Sequence, residues 1–323
     1  METAGSDFER YVIEEHVEDF DDRLIDRREL LRRVTLITGS LVATFAVLET
    51  LGCGQEPRGS APSPQGRSTS TPQTFATPPA QPVANGVTVA ENDRRIKVEQ
   101  LAVKGTDGAA LLSYAARPAS GQPAGGLVVI HENRGLVPHI KDVVRRVATA
   151  GFYGLSVDLL SRDGGADQLA DAAAYQAALA KRAPADMVSD VRQAISALPR
   201  DAVGDRVGLT GFCFGGGVTW NALAAGAPVK AAVPFYGPPP QNLAGLASTR
   251  AAVFAIYAEQ DARITGSRAQ VEAELQKSGH PYRVTVYPGV DHAFHNDTGQ
   301  RYNATQAEAA WVAAIGWLRQ HLK

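Results

Sequence analysis

Beyond about residue 86 the chain alternates short apolar runs with stretches of helical period, and that alternation restricts the possible fold more than any other feature. "GLVVIHEN", "YGLSVDLL", "RVGLTGF", "KAAVPFYG" and "AAVFAIYAEQD" read as strands with apolar residues on both sides, as expected where helices cover both faces of a sheet. Between them, "HIKDVVRRVATAGF" sets Ile140, Val143, Val144 and Val147 at helical spacing, and "DQLADAAAYQAALAK", "ADMVSDVRQAISAL", "GGGVTWNALAAG" and "SRAQVEAELQKSG" continue the pattern. "IKVEQLAVKG" and "ALLSYAARP" open the region as a pair of strands; the strand "YRVTVYPG" and the helix "NATQAEAAWVAAIGWLRQHL" close it. This order predicts an α/β fold over 86–323, with a mostly parallel central sheet and helices on both faces. Ligands then bind beyond the carboxyl ends of the strands.

The preceding residues have a different character. Residues 1–26 are acidic and polar; "DRRELLRR" then leads into a stretch from Val34 to Leu48 without a single charge. A basic region followed by an apolar one shorter than a membrane span marks residues 1–53 as a targeting or anchor segment. Arg27-Arg28-Glu29-Leu30-Leu31-Arg32 resembles a twin-arginine export signal, which implies passage through the twin-arginine export machinery to an extracytoplasmic or periplasmic location. An uncleaved membrane tether and lipidation at Cys53 of "LETLGCG" are both open, and the competing interpretation is a buried helix that begins with arginines. Residues 54–85, rich in Pro, Ser, Thr, Gly and Gln, read as a disordered linker.

Charge narrows the partners. With 32 Lys and Arg against 34 Asp and Glu, the net charge of −2 offers no basic field for a polyanion, so nucleic acid is excluded and a small ligand is expected. The two cysteines, Cys53 and Cys213, lie in regions of unlike composition and outside any metal-ligand spacing, so no disulfide, metal or organic cofactor is expected.

The residues with chemistry gather at the strand ends. Cys213 sits in "GFCFGGG" between a strand and a helix, a nucleophile-elbow pattern in which glycines permit a tight turn that presents the central side chain. The backbone N–H of Phe214 would point to a developing oxyanion, and the helix would favour the thiolate. A lone cysteine is otherwise a buried apolar residue. Asp261 ends "VFAIYAEQD" and His292 follows "VTVYPGVD", so nucleophile, acid and histidine succeed one another in α/β-hydrolase order. His295 and Asp291 are near rivals; Asp291 adjoins the histidine in sequence and His295 lies further into the loop. Glu132, at the end of "LVVIHEN", is either a turn residue or an active-site carboxylate.

Together "IHENRG", "VDLLSR", "GFCFGGG", "EQDARI" and "GVDHAF" resemble the dienelactone hydrolase family, the carboxymethylenebutenolidases of the α/β-hydrolase fold, over residues 95–322. The resemblance implies hydrolysis of a small ester or lactone by a Cys213, His292 and Asp261 triad. It implies that Glu132 interacts with the resting thiol and that the N–H groups of Asn133 and Phe214 form the oxyanion hole. It implies two arginines on a substrate carboxylate: Arg162 matches the first, whereas Asn296 stands where the second belongs and Arg301 follows later. Two other classes fit parts of the pattern: a carboxylate-binding protein on a hydrolase scaffold, and a thiol redox protein, the latter without a resolving cysteine in the folded domain.

Overall fold

A computed structural model describes residues 7–51 and 88–323. The linker expected at 54–85 and Cys53 lie outside the described residues. The chain begins with helices α1 (Asp7–Asp21), α2 (Arg27–Thr38) and α3 (Leu41–Thr50). Strand β1 (Ile96–Glu99) and the ribbon β2 (Val103–Lys104) and β3 (Ala110–Leu111) lead to β4 (Ser113–Pro118). Strands β5 (Gly126–Ile130) and β6 (Tyr153–Val157) flank helix α4 (Pro138–Thr149). Helices α5 (Ala172–Ala180), α6 (Pro184–Ala197) and the short α7 (Arg200–Val203) precede β7 (Val207–Phe212), α8 (Phe214–Ala224) and β8 (Ala231–Phe235). Strand β9 (Ala252–Ala258), the short α9 (Ala262–Thr265), α10 (Arg268–Ser278), β10 (Tyr282–Tyr287) and α11 (Ala304–His321) complete the order.

Eight strands form one sheet in the order β1-β4-β6-β5-β7-β8-β9-β10. The pairs β1/β4 and β4/β6 are antiparallel, and every pair from β6 to β10 is parallel, as the strand and helix alternation predicts. Every residue of β5, β6, β7, β8 and β9 is buried, which is why these strands read as near-continuous apolar runs. The chain has an α/β-hydrolase-like fold. The carboxyl ends of β5, β7, β9 and β10 open onto one rim, and the candidate site is assembled there.

The N-terminal helices pack on this domain. The apolar stretch from Val34 to Leu48 is broken after Thr38: Gly39 closes α2 with φ of 76°, and the Ser40 side chain accepts from the N–H of Ala43 to start α3. Helices α2 and α3 meet at a bend of 108°. Among the described residues no single helix is long and apolar enough to cross a membrane, although this bent pair is so by length and composition. Leu30, Val34 and Ile37 of α2 are buried, and α2 packs against α1 and α5. Arg27 and Arg28 are exposed at the start of α2, and Leu41, Val42 and Phe45 of α3 present apolar side chains to solvent.

Candidate active site

Strand β7 delivers Cys213 to the rim through a turn that only small neighbours allow. Cys213 has φ of 57°, a left-handed conformation costly for a residue with a side chain. A Cβ at Gly211 would lie 2.1 Å from the carbonyl oxygen of Gly215, and one at Gly215 would lie 2.4 Å from that of His131. The glycines of "GFCFGGG" therefore set the close approach of α8 to β5 and β7. Phe214 is the first residue of α8, so its N–H has no partner within the helix.

Asp261 ends β9 and caps α9, its Oδ1 accepting from the N–H of Ile264 at 3.1 Å. Its Oδ2 meets Nδ1 of His292, from the loop after β10, at 2.6 Å. That bond orients the imidazole so that Nε2 faces Cys213. The rivals have other tasks: His295 stacks on Phe212 with centroids 5.0 Å apart, and Asp291 accepts from the backbone N–H of His292 at 2.7 Å.

The thiol's hydrogen-bond partner comes from α1. Cys213 Sγ donates to Oε1 of Glu15 at 3.1 Å, with the Tyr11 hydroxyl 3.5 Å from the sulfur. His292 Nε2 lies 3.4 Å from the same Glu15 oxygen, and the Asn133 side-chain amide donates to Oε2 at 2.7 Å. Tyr11 also hydrogen-bonds to Glu15. Helix α1 is fastened at several points. Phe8 packs edge-on against Phe214 at 4.6 Å, and Arg263 forks onto Glu18 at 3.1 and 3.0 Å while lying 4.7 Å over the Tyr11 ring. Arg301 bonds Asp19 at 3.2 Å and Asp22 at 3.1 Å. Burial of Phe8, Val12 and Ile13 contributes about 1.5–3 kcal/mol per side chain. A single hydrogen bond to a charged group contributes about as much as one of these. Lifting the helix would forfeit these side chains and the arginine pairs together, whereas moving the Glu15 carboxylate forfeits its own bonds to Cys213, Tyr11 and Asn133.

The remaining expected residues are placed unevenly. Glu132 lies at the rim, but its Oε2 accepts from the Asn296 amide and its Oε1 is buried without a partner. The charge of Glu132 acts on the thiol, as expected of a carboxylate there, but the hydrogen bond to the sulfur comes from Glu15. Arg162 is not among the residues that border the site cavity. It bridges Asp107 at 2.7 and 2.9 Å and Asp190 at 2.7 and 3.0 Å, because Asp190 is buried and needs countercharge. Arg301 does line the site cavity, with its charge taken up by α1. That cavity, about 270 Å³, is also bordered by Glu15, Glu132, Asn133, Cys213 and His292. Arg134 borders it too, exposed and without an ion pair among the described residues.

Charge and burial fix the resting state. Burial, with the Glu15 and Glu132 carboxylates adding to it against His292, pushes the Cys213 thiol up to about 11. Burial opposes the charged form of His292, but a negative sulfur and Asp261 outweigh it, so the imidazole is raised well above its ordinary range once the thiol has given up its proton. Burial likewise opposes the Glu15 charge, yet His292 and Arg263 hold that carboxyl below the usual range. The thiol is thus held protonated at rest, with the His292 ring between the carboxylates of Asp261 and Glu15. One donor atom each from Glu15, Cys213 and His292 lies within 4.8 Å of the others, a set with the ligand types of a zinc site, in which the thiol already donates to the Glu15 carboxylate.

Sequence reasoning missed Glu15, Tyr11 and Arg134. Arg134 adjoins the "HEN" motif; Phe8, Tyr11, Val12, Glu15 and Asp19 recur at helical spacing within a stretch whose acidity suggested a solvated leader.

The dienelactone hydrolase family profile matches residues 111–322, so α1 to α3 lie outside it. A "Putative carboxymethylenebutenolidase" of Methylorubrum extorquens is 31% identical over 254 residues, covering 75% of this chain and 87% of that protein. A "Probable 2-oxo-3-(5-oxofuran-2-ylidene)propanoate lactonase" of Bradyrhizobium is 31% identical over 232 residues, covering 68% and 92%. The crystal structure titled as a putative dienelactone hydrolase of Klebsiella pneumoniae superposes with a TM-score of 0.63 at 27% identity, covering 70% of this chain and 99% of that one. With the family profile spanning most of the α/β domain, and these relatives matching it on both sequence and fold, the chain belongs to the dienelactone hydrolase family and is a carboxylic ester hydrolase.

Proposed function

We propose that the chain opens a small ester or lactone through a thioester on Cys213. The carrying observation is the bond between Asp261 Oδ2 and His292 Nδ1 at 2.6 Å, with Cys213 raised on the elbow opposite Nε2. His292 takes the thiol proton as Sγ attacks the carbonyl carbon, and the N–H groups of Asn133 and Phe214 receive the oxyanion. Collapse breaks the C–O bond, and the leaving oxygen takes the proton from His292. Water, losing a proton to His292, then attacks the thioester; the carboxylic acid leaves and the sulfur regains its proton. The names of the matched relatives, a butenolidase and a lactonase, support this substrate class. Arg134, unpaired among the described residues at the cavity, suits a substrate that bears a carboxylate.

Short p-nitrophenyl esters and simple lactones should be turned over by the full chain and not by Cys213→Ala, with a loss of about a thousandfold or more. Turnover that survives in a folded Cys213→Ala protein would overturn the thioester route. A binding or redox role is not favoured, because neither needs an aspartate-oriented histidine opposite the thiol.

The location belongs to the same proposal: export through the twin-arginine machinery, with α3 as the tether. Exposed Leu41, Val42 and Phe45 support contact with an apolar phase. Native protein found wholly in the soluble cytoplasmic fraction would sink it.

A further inference from the structure

Glu15 lies outside residues 111–322, the part of the chain that the family profile matches, yet its carboxylate is the nearest hydrogen-bond partner of Cys213. An attacked carbonyl must lie about 3–3.5 Å from the sulfur. Oε1 of Glu15 occupies that volume, 3.1 Å from Sγ and 3.4 Å from His292 Nε2, while Oε2 is held by Asn133, the residue at the expected oxyanion hole. The site is thus filled by a carboxylate of its own chain.

We propose that Glu15 is a positioning residue of the reaction: it holds the resting Cys213 thiol, stands where the substrate carbonyl must go, and swings aside at each turnover while α1 stays docked. The proposal rests on Cys213 being the nucleophile. Three observations point to motion of the side chain rather than of the helix. Helix α1 is anchored by buried Phe8, Val12 and Ile13 and by the bonds of Arg263 to Glu18 and of Arg301 to Asp19, none of which is made by the Glu15 side chain. Glu15 borders the cavity of about 270 Å³, so open volume adjoins its carboxylate. Arg134 borders the same cavity without an ion pair among the described residues and offers positive charge to a displaced carboxylate. With Glu15 withdrawn, Nε2 of His292 and Sγ face one another directly, and a substrate carbonyl can enter between the sulfur and Asn133.

The thiol is faced by Tyr11 and Glu15 from α1, by Glu132 from the loop after β5 and by His292, with Asp261 behind it and Arg263 over Tyr11. Of these, only Glu15 both bonds to the sulfur and carries a negative charge. The test is alkylation of the full chain by iodoacetamide across a range of pH, with Cys53→Ser as background so that one thiol is read. Glu15→Gln, which keeps the size, and Glu15→Ala should each react about tenfold faster near neutral pH, with the midpoint of the pH profile moved down by about a unit or more. Thermal melting establishes that both variants are folded. An unchanged rate and midpoint in both folded variants would overturn the proposal and leave Glu15 a wall residue.

Hydrogen exchange over residues 8–21 separates side-chain motion from helix release. Protection there should persist in the alkylated protein; its loss would overturn the docked-helix form of the proposal. If Cys213→Ala kept ester turnover, the nucleophile reading would fail, whereas the alkylation profiles would still report whether Glu15 governs the thiol.

Discussion

The two walls of the catalytic cavity come from opposite parts of the chain and are held by different forces. One wall is the rim of the parallel sheet, where Cys213 and Asp261 follow fully buried strands and His292, after β10, is held by its bond to Asp261. The other is α1, joined to the first by a few buried apolar side chains and a row of acids on Arg263 and Arg301. The rim holds reacting groups at set distances, as a chemical step requires. The α1 wall supplies a carboxylate with room beside it, as a step that must be undone requires. The comparison teaches that preorganisation and access are assigned to separate segments.

Three measurements bear on this division. The largest effect should follow from Asp261→Asn, which keeps the shape of the rim but loses the charge behind His292: kcat for ester turnover should fall about 10³–10⁴-fold with little change in melting temperature. A fall below tenfold would mean that the rim is not the reacting wall. A middle effect is expected between two arginines. Arg134→Ala should raise KM about tenfold for an ester bearing a carboxylate and leave a neutral ester unaffected, whereas Arg162→Ala should leave both within about twofold and lower stability instead. A KM raised for the carboxylate-bearing ester alone in the Arg162 variant would return that residue to the site.

The smallest effect is one of pH. A thiol raised to about 11 in the folded chain, against roughly 8.5 unfolded, is held protonated by folding. The unfolded chain loses this proton first, so the contribution is complete below the unfolded value and folding stability falls as pH rises from about 8.5 toward 11. Cys213→Ser should flatten that part of the stability profile. A profile as steep as in the unsubstituted chain would place the alkaline loss elsewhere.

The sheet rim was legible in the sequence because each of its signals is local. Five-residue apolar runs such as "GLVVI" cannot be solvated strands, and a cysteine among glycines between strand and helix has few other geometries. The order of Cys213, Asp261 and His292 followed from the order of the strands. Helix α1 was not legible as a wall, because an acidic amphipathic segment looks alike whether its polar face meets water or three arginines. Glu15 meets Cys213 across 198 positions of sequence, and no local pattern encodes that contact. Arg162 shows the converse: its motif suggested a substrate contact, but buried Asp190 on α6, at 1% exposure, has a prior electrostatic demand on it.

The hydrogen bond from Cys213 to Glu15 also bears on how long the protein lasts. Peroxide oxidises the thiolate and not the thiol, first to sulfenic acid and then irreversibly to higher acids. A sulfur kept protonated under cover of a helix is shielded both chemically and sterically between encounters with substrate. In the role proposed for Glu15, the contact that delays each turnover would thereby lengthen the working life of the sulfur.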